Sequence, residues 1–307
     1  MKKIAGLLLL SVALVSCNKS DEYFKKAKAA FDQKNYELAI ANFDSVLQLT
    51  PDHPEALATR ASARYNMKDY QGAIADYTKS IEYWPKDRDN DAGLGKIYAD
   101  LADCYFNETL YDAAIDNYTI AITKNNTLAI AYAGRGDAYI VKSNPALAQP
   151  DFEKAISLDP EFAPAHYGLG NVKFDQKDFT AAIPHYSQAI ALDPTVVKFF
   201  MDRGDSYYMT EDYAKAETDF SRAIELDSAN AKAYVFRGDS KDEQGRPQEA
   251  IDDYTKALEI NPTYGLAYYN LGMTKQRLKD KTGACDAFKK AADAGYQEAE
   301  PFAADCK

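Results

Sequence analysis

Small, aromatic and proline positions recur along the chain every 34 residues. From residue 20 the chain divides into eight units: 20–53, 54–87, 95–128, 129–162, 163–196, 197–230, 231–264 and 265–298; residues 88–94 fall outside the period. Position 20 of each unit is alanine, from Ala39 to Ala284, and position 24 is aromatic, from Phe43 to Phe288. Position 27 is small in seven units, with Val46 in the first. Position 8 is alanine in the first three units and glycine in the last five, from Gly136 to Gly272. Pro51, Pro85, Pro160, Pro194 and Pro262 mark position 32.

The pattern predicts two helices per unit. Positions 24 and 27 lie three apart and so share one face of the second helix. Small residues at positions 8 and 20 let the helices approach closely, and the proline ends one helix and opens the next. Neither helix buries its apolar face alone, so neighbouring units must stack into a continuous core. Residues 88–94 are read as lengthening the first helix of unit three, capped by Asn90 or Asp91, with a small protruding loop as the alternative. Pro150 and Pro184, both at position 22, should loosen or bend the start of their helices.

These spacings resemble the tetratricopeptide repeat family over 20–298. The resemblance implies an all-α chain, a right-handed α-solenoid superhelix of eight 34-residue helix-turn-helix repeats. It also implies that the first helices line an inner surface, where positions 5, 9, 12 and 13 commonly face a ligand. On that surface position 9 supplies Asp103, Asp137, Asn171, Asp205 and Asp239, position 12 supplies Phe106 and Tyr208, and position 5 supplies Tyr167. Acid beside aromatic suits an extended, partly basic peptide segment or an amphipathic partner helix. The four aspartates argue against the clamp for a terminal carboxylate that some members carry. The alternative is a solvated inner face on which position 12 merely braces neighbouring helices.

A charge pair emerges from the units themselves. Position 7 is arginine in four units (Arg60, Arg135, Arg203, Arg237), and position 23 is aspartate in the same four (Asp76, Asp151, Asp219, Asp253) and in no other. Such co-variation points to contact and predicts an Arg–Asp bridge between the two helices of each hairpin. Its expected role is orientation, since partly buried pairs lose much to desolvation. Three of these arginines begin an Arg-Gly-Asp tripeptide, as in Arg203-Gly204-Asp205. Within a helix, with the arginine engaged, that tripeptide cannot form an exposed adhesion loop.

The two ends differ from the units. Lys2 and Lys3 followed by the apolar run Ile4 to Val15 have the layout of a secretory signal, too short to span a bilayer. Leu14-Val15-Ser16-Cys17 resembles the bacterial lipoprotein processing box. That resemblance implies a signal peptide over 1–16, acylation of Cys17, and a lipidated tether over 17–19. The polar stretch Asn18 to Glu22 loosely resembles surface-export signals of some Bacteroidota lipoproteins. At the other end 299–307 is read as a capping segment, its helix beginning near 297. Export permits disulfides, and Cys285 with Cys306 is the pair best placed to lock the cap, with two free thiols as the alternative. Cys104, where a small residue packs, is read as a buried thiol.

Composition narrows the function. The chain has 36 Lys and Arg against 47 Asp and Glu, a formal charge of −11, which argues against a general nucleic-acid binder. His53, His166 and His185 lie in different units and show no metal spacing. No activated nucleophile or glycine-rich phosphate loop is evident, and the acids sit on helical surfaces. No catalysis, metal or cofactor is therefore expected. The reading is a membrane-anchored interaction scaffold of a bacterial envelope, an outer-membrane lipoprotein facing the periplasm or the cell surface. Its expected partners are envelope proteins, engaged through peptide segments or a helix, and the lipid bilayer through Cys17. A glycan- or peptidoglycan-binding accessory is the alternative, as is an architectural subunit that uses its outer surface.

Overall fold

The computed structural model describes residues 19–85 and 91–306. The expectations for the 1–16 signal, for Cys17 and for residues 88–90, Asn90 included, lie outside the described residues. All regular structure among the described residues is helical. The chain divides into two compact units at Pro160 and Glu161. The first holds α1 (19–32), α2 (Tyr36–Leu49), α3 (Pro54–Asn66), α4 (Tyr70–Tyr83), α5 (Asp91–Asn107), α6 (Tyr111–Lys124), α7 (Ala129–Val141) and α8 (Pro145–Leu158). The second holds α9 (Ala163–Asp175), α10 (Phe179–Leu192), α11 (Val197–Met209), α12 (Tyr213–Leu226), α13 (Ala231–Glu243), α14 (Pro247–Ile260), α15 (Gly265–Arg277), α16 (Lys281–Asp293), a 3₁₀ turn (Gln297–Ala299) and α17 (Glu300–Ala304). Within each unit successive helices pack side by side as hairpins.

Two boundaries differ from the sequence reading. Lys19 is already helical, so it belongs to α1 and not to a tether. The position-32 proline follows the end of the second helix but does not open the next: α10 ends at Leu192, Pro194 lies in the connection, and α11 begins at Val197. Its fixed φ and missing donor terminate one helix without starting another. The cap begins with the turn at Gln297, where the sequence reading places the start of its helix. Pro150 and Pro184 sit inside α8 and α10, each still 14 residues long. Each proline removes one donor near the helix start, where carbonyls can still find other partners. As the sequence reading expects, the 88–94 insertion lengthens the first helix of repeat three: residues 91–94 are the start of α5, whose 17 residues exceed the 13 of α3 or α7.

One turn joins every hairpin. The first helix occupies positions 1–13 and the second begins at position 17. Position 15 has positive φ in all eight repeats: Lys34, Lys68, Thr109, Ser143, Lys177, Glu211, Gly245 and Lys279. This is a Schellman-type ending, in which a left-handed residue lets the following N–H reach back to an orphan carbonyl. The Asp69, Asp178 and Asp212 amides each donate to the carbonyl five residues earlier, at 2.9 Å. The same three residues then cap the next helix, accepting from Gly72, Ala181 and Lys215 N–H. One aspartate therefore closes one helix and opens the next.

Between the helices sits the position-24 ring. Phe43, Phe152 and Phe220 are fully buried, and Tyr77, Tyr118, Tyr186 and Tyr254 nearly so. The glycine at position 8 makes room: a Cβ on Gly204 would lie 2.8 Å from Phe220, and one on Gly170 2.5 Å from Tyr186. Repeat three carries Ala102 at position 8, and its Tyr118 ring lies where a Cβ on Gly134 of the next repeat would stand, 2.4 Å away. The glycine that accommodates the ring has moved to the neighbouring repeat.

The Arg–Asp pairs span each hairpin with two parallel bonds. Arg203 Nε and Nη2 donate to Asp219 at 2.8 and 2.7 Å, and Arg60–Asp76, Arg135–Asp151 and Arg237–Asp253 repeat this at 2.6–2.9 Å. The third guanidinium nitrogen reaches position 25 of the preceding repeat: Asp44 at 2.5 Å, Thr119 and Ser187 at 3.0 Å, Ser221 at 3.4 Å. One side chain thus fixes the hairpin and its stacking. Asp76 also accepts from Arg64, and Asp253 from Lys241, at 2.8 Å each. Repeats three and five bury Leu101 and Leu169 at position 7 instead.

The last repeat is closed by its cap. Cys285 of α16 and Cys306 are disulfide-bonded, their Cα atoms 5.4 Å apart. Phe302 stacks on Phe288 at 4.8 Å, and Tyr269 lies 5.8 Å from Phe302. Cys104 is a buried free thiol.

Two stability outcomes follow from these contacts. Thr109, β-branched at φ 60°, is the most strained occupant of position 15, and Thr109→Gly should stabilise the chain by about 1 kcal/mol in chemical denaturation. No gain would show that the turn holds no such strain. Arg203→Leu should destabilise by about 1–3 kcal/mol, because Asp219 is left buried and unpaired. Replacing Asp219 as well by an apolar residue should restore much of the loss, and a double-mutant cycle without coupling would reject the bridge as an energetic unit.

Candidate partner-binding groove

The predicted site residues lie on the first helices, but their roles differ. In repeats whose position 24 is tyrosine, the hydroxyl reaches the position-9 side chain of the same hairpin. Tyr77 bonds Ser62 at 2.8 Å, Tyr186 donates to Asn171 at 2.9 Å, Tyr254 to Asp239 at 2.7 Å, and Tyr118 to Asp103. Asp103, Asn171 and Asp239 therefore serve first as internal acceptors for core tyrosines. Asp137 and Asp205 stand in repeats whose ring is Phe152 or Phe220, which has no hydroxyl to offer. The pairing was visible in the sequence, since every tyrosine at position 24 faces Ser, Asp or Asn at position 9.

Position 12 shows a similar rule. Phe106 packs edge-on against Tyr111 at 5.4 Å and Tyr208 against Tyr213 at 5.2 Å, as Phe31, Tyr65 and Phe174 do against Tyr36, Tyr70 and Phe179. The partner is always position 17, at the start of the second helix. These rings are half-buried, so each is braced on one edge and open on the other. Tyr167 is tied more firmly. It packs on Phe199 at 4.8 Å and donates to Asp202 of the next repeat.

In the second unit the open edges meet as two adjoining cavities. One, of about 250 Å³, is lined by Phe174, Asp205, Tyr208, Met209, Phe220, Phe236 and Asp239. The next, of about 340 Å³, shares Tyr208 and Asp239 and continues over Asp242, Glu243, Tyr269, Asn270, Met273 and Arg277. The first unit has a smaller cavity of about 220 Å³, between Phe31, Tyr65, Lys96, Asp100 and Asp103. Sequence reasoning missed Phe236 and Arg277. Asp242 accepts from Thr274 at 2.6 Å and pairs with Arg277, so an acid at position 12 builds a link between repeats seven and eight.

Burial dominates the electrostatics. It pushes the Asp205 carboxyl up to about 7, with Asp202 and Asp239 adding to the rise and Lys232 opposing it. Asp103 and Asp239 are pushed to about 6 by burial, held back by their tyrosine hydroxyls. The groove thus offers carboxylates poor in water, beside aromatic faces. Such a surface favours a ligand that brings positive charge and apolar area together.

Profiles of the tetratricopeptide repeat match residues 24–92, 133–197, 197–230, 231–264 and 253–286, most of the chain. The chain belongs to the tetratricopeptide repeat family. No curated protein matches it significantly. Solved tetratricopeptide structures are similar in fold. One from Parabacteroides merdae is 20% identical with a TM-score of 0.60, the match covering 84% of this chain and 99% of that one. YrrB, described as a TPR protein with an unusual peptide-binding site, is 24% identical with a TM-score of 0.52, over 62% of this chain and 95% of its own. MamA is 26% identical with a TM-score of 0.50, over 54% and 96%. As a tetratricopeptide repeat protein the chain is a protein–protein interaction scaffold, of a family that generally carries no catalysis.

The raised acids give stability a definite pH dependence. Their folded-state pKa values lie above the unfolded value of about 3.9, so the native state holds more protons between about pH 4 and 7, and stability falls as pH rises through that window. Melting temperature at constant ionic strength should therefore rise from pH 8 to pH 6. Asp205→Asn should flatten the slope, and a wild-type curve that falls over that interval would contradict these assignments.

Proposed function

We propose that this tetratricopeptide repeat protein is a non-catalytic adaptor of a bacterial envelope, anchored through an acylated Cys17, which holds segments of partner proteins in an acidic and aromatic groove on its first helices. The observation that carries the groove is the pair of adjoining cavities sharing Tyr208 and Asp239, lined by braced rings and carboxylates poor in water. The Leu14-Val15-Ser16-Cys17 box supports the anchor. No helix among the described residues is long and apolar enough to cross a membrane, and in this reading acyl chains supply the attachment. Placement in the outer membrane, on the periplasmic or the outer face, belongs to the same reading.

A glycan-binding accessory is the second reading. It is favoured by Tyr208 and Tyr269 beside Asp239, Asp242 and Glu243 in the larger cavity, where rings could stack on sugar faces.

Crosslinking in the native envelope, followed by identification of the attached molecules, separates the two. The adaptor reading expects a small set of envelope proteins joined through the first-helix surface of α9 to α15. Recovery of glycan alone would replace it with the second reading. Mass spectrometry of the membrane fraction should find Cys17 as an acylated N-terminus, and an unmodified Cys17 there would remove the anchor.

A further inference from the structure

We infer that the cavity between α9, α11 and α13 is a receptor for one cationic side chain, a lysine or arginine of an extended partner segment. The inference rests on the scaffold reading and names what that groove selects. Phe174, Tyr208 and Phe236 supply aromatic surface over the buried Phe220 ring, and Asp205 and Asp239 supply the carboxylates. The volume, about 250 Å³, suits one long side chain and not a helix.

Charge decides the occupant. An apolar side chain would strip the two acids of their remaining water and give nothing in return, whereas a cation offsets that loss. Its aliphatic stem lies along the rings and its head meets the carboxylates and the ring faces. Asp239 accepts both Tyr254 and Asn270 through the same oxygen, Oδ1. Asp205 has Phe220 where other repeats offer a tyrosine hydroxyl.

The protein already places a cation at the margin of this site. Lys232 Nζ lies 4.8 Å from the centre of the Phe236 ring, and its charge acts on Asp205 and Asp202. Lys232 is itself exposed. It is a resident competitor that an incoming lysine or arginine displaces. The titratable groups facing Asp205 are Asp202 on its own helix and Lys232 and Asp239 on α13. Cation binding therefore strengthens as Asp205 loses its proton.

The test uses the full chain with labelled Met209 methyl and phenylalanine ring signals. The probes are blocked pentapeptides Ac-Gly-Ala-X-Ala-Gly-amide, with lysine, arginine, norleucine or glutamate at X, and tetramethylammonium. At pH 8 the lysine and arginine peptides should shift the Met209 and Phe236 signals saturably and bind at least about tenfold more tightly than norleucine. That preference should shrink at pH 6, as Asp205 protonates, and vanish in Asp205→Asn, whose melting temperature at pH 8 should equal or exceed that of the wild type. Lys232→Ala, an exposed change that leaves the cavity walls in place, should tighten lysine binding roughly threefold; unchanged affinity there overturns the assignment. Equal binding of norleucine and lysine overturns it, and so does silence of all four peptides. Tetramethylammonium binding with the peptides silent replaces it with a small-ammonium site. Envelope crosslinks that persist in Asp205→Asn while the lysine preference is absent discard the receptor and leave the scaffold reading standing. Absence of any protein crosslink to the wild type discards the scaffold reading itself.

Discussion

Each hairpin depends on one aromatic ring held between two helices. The ring at position 24 is too large to be buried unless the facing helix gives way, which explains glycine or alanine at position 8. Close approach in turn permits an arginine from the first helix to grip an aspartate on the second and a group on the preceding repeat. That arginine transmits the geometry of one hairpin to the next. Stacking therefore rests on packing for its free energy and on a few bidentate bonds for its register.

The same ring governs the functional surface. A tyrosine hydroxyl arriving beneath the first helix is buried and needs an acceptor, and position 9 provides it. That carboxylate or amide is then committed to the core. A phenylalanine makes no such demand, and above Phe220 the Asp205 carboxylate lines the groove. Tyr or Phe at a buried position thus sets what a neighbouring surface residue is available to do, and repeats that look equivalent on the inner face are not. Asp239 is shared between core and groove, whereas Asp205 above Phe220 belongs to the groove.

The fold was legible because its constraint is periodic. Alanine at 20, the ring at 24 and small residues at 8 recur in phase, and the joint appearance of Arg203 with Asp219 gave their contact before any geometry. The turn was not legible. Its left-handed position 15 carries lysine, threonine, serine or glutamate in seven repeats, and only Gly245 displays the usual signal. The arginine's third bond also escaped, since threonine at position 25 precedes leucine-bearing repeats as well: Thr78 comes before Leu101, and Thr255 before Leu271. On the candidate surface the residues were found but their duties were merged. Asp103, Asp205 and Asp239 look alike as a stripe, and the difference between them is one oxygen atom on the facing ring.

The most direct measurement exploits that oxygen. Phe220→Tyr places a hydroxyl fifteen residues from Asp205, the register at which Tyr254 meets Asp239 and Tyr186 meets Asn171. Carboxyl titration by carbon-detected NMR should show Asp205 falling from about 7 toward the value of about 6 shared by Asp103 and Asp239, with the fold unchanged. An Asp205 titration that stays where it was, in a folded Phe220→Tyr protein, would contradict the claim that the buried ring sets the state of the surface acid.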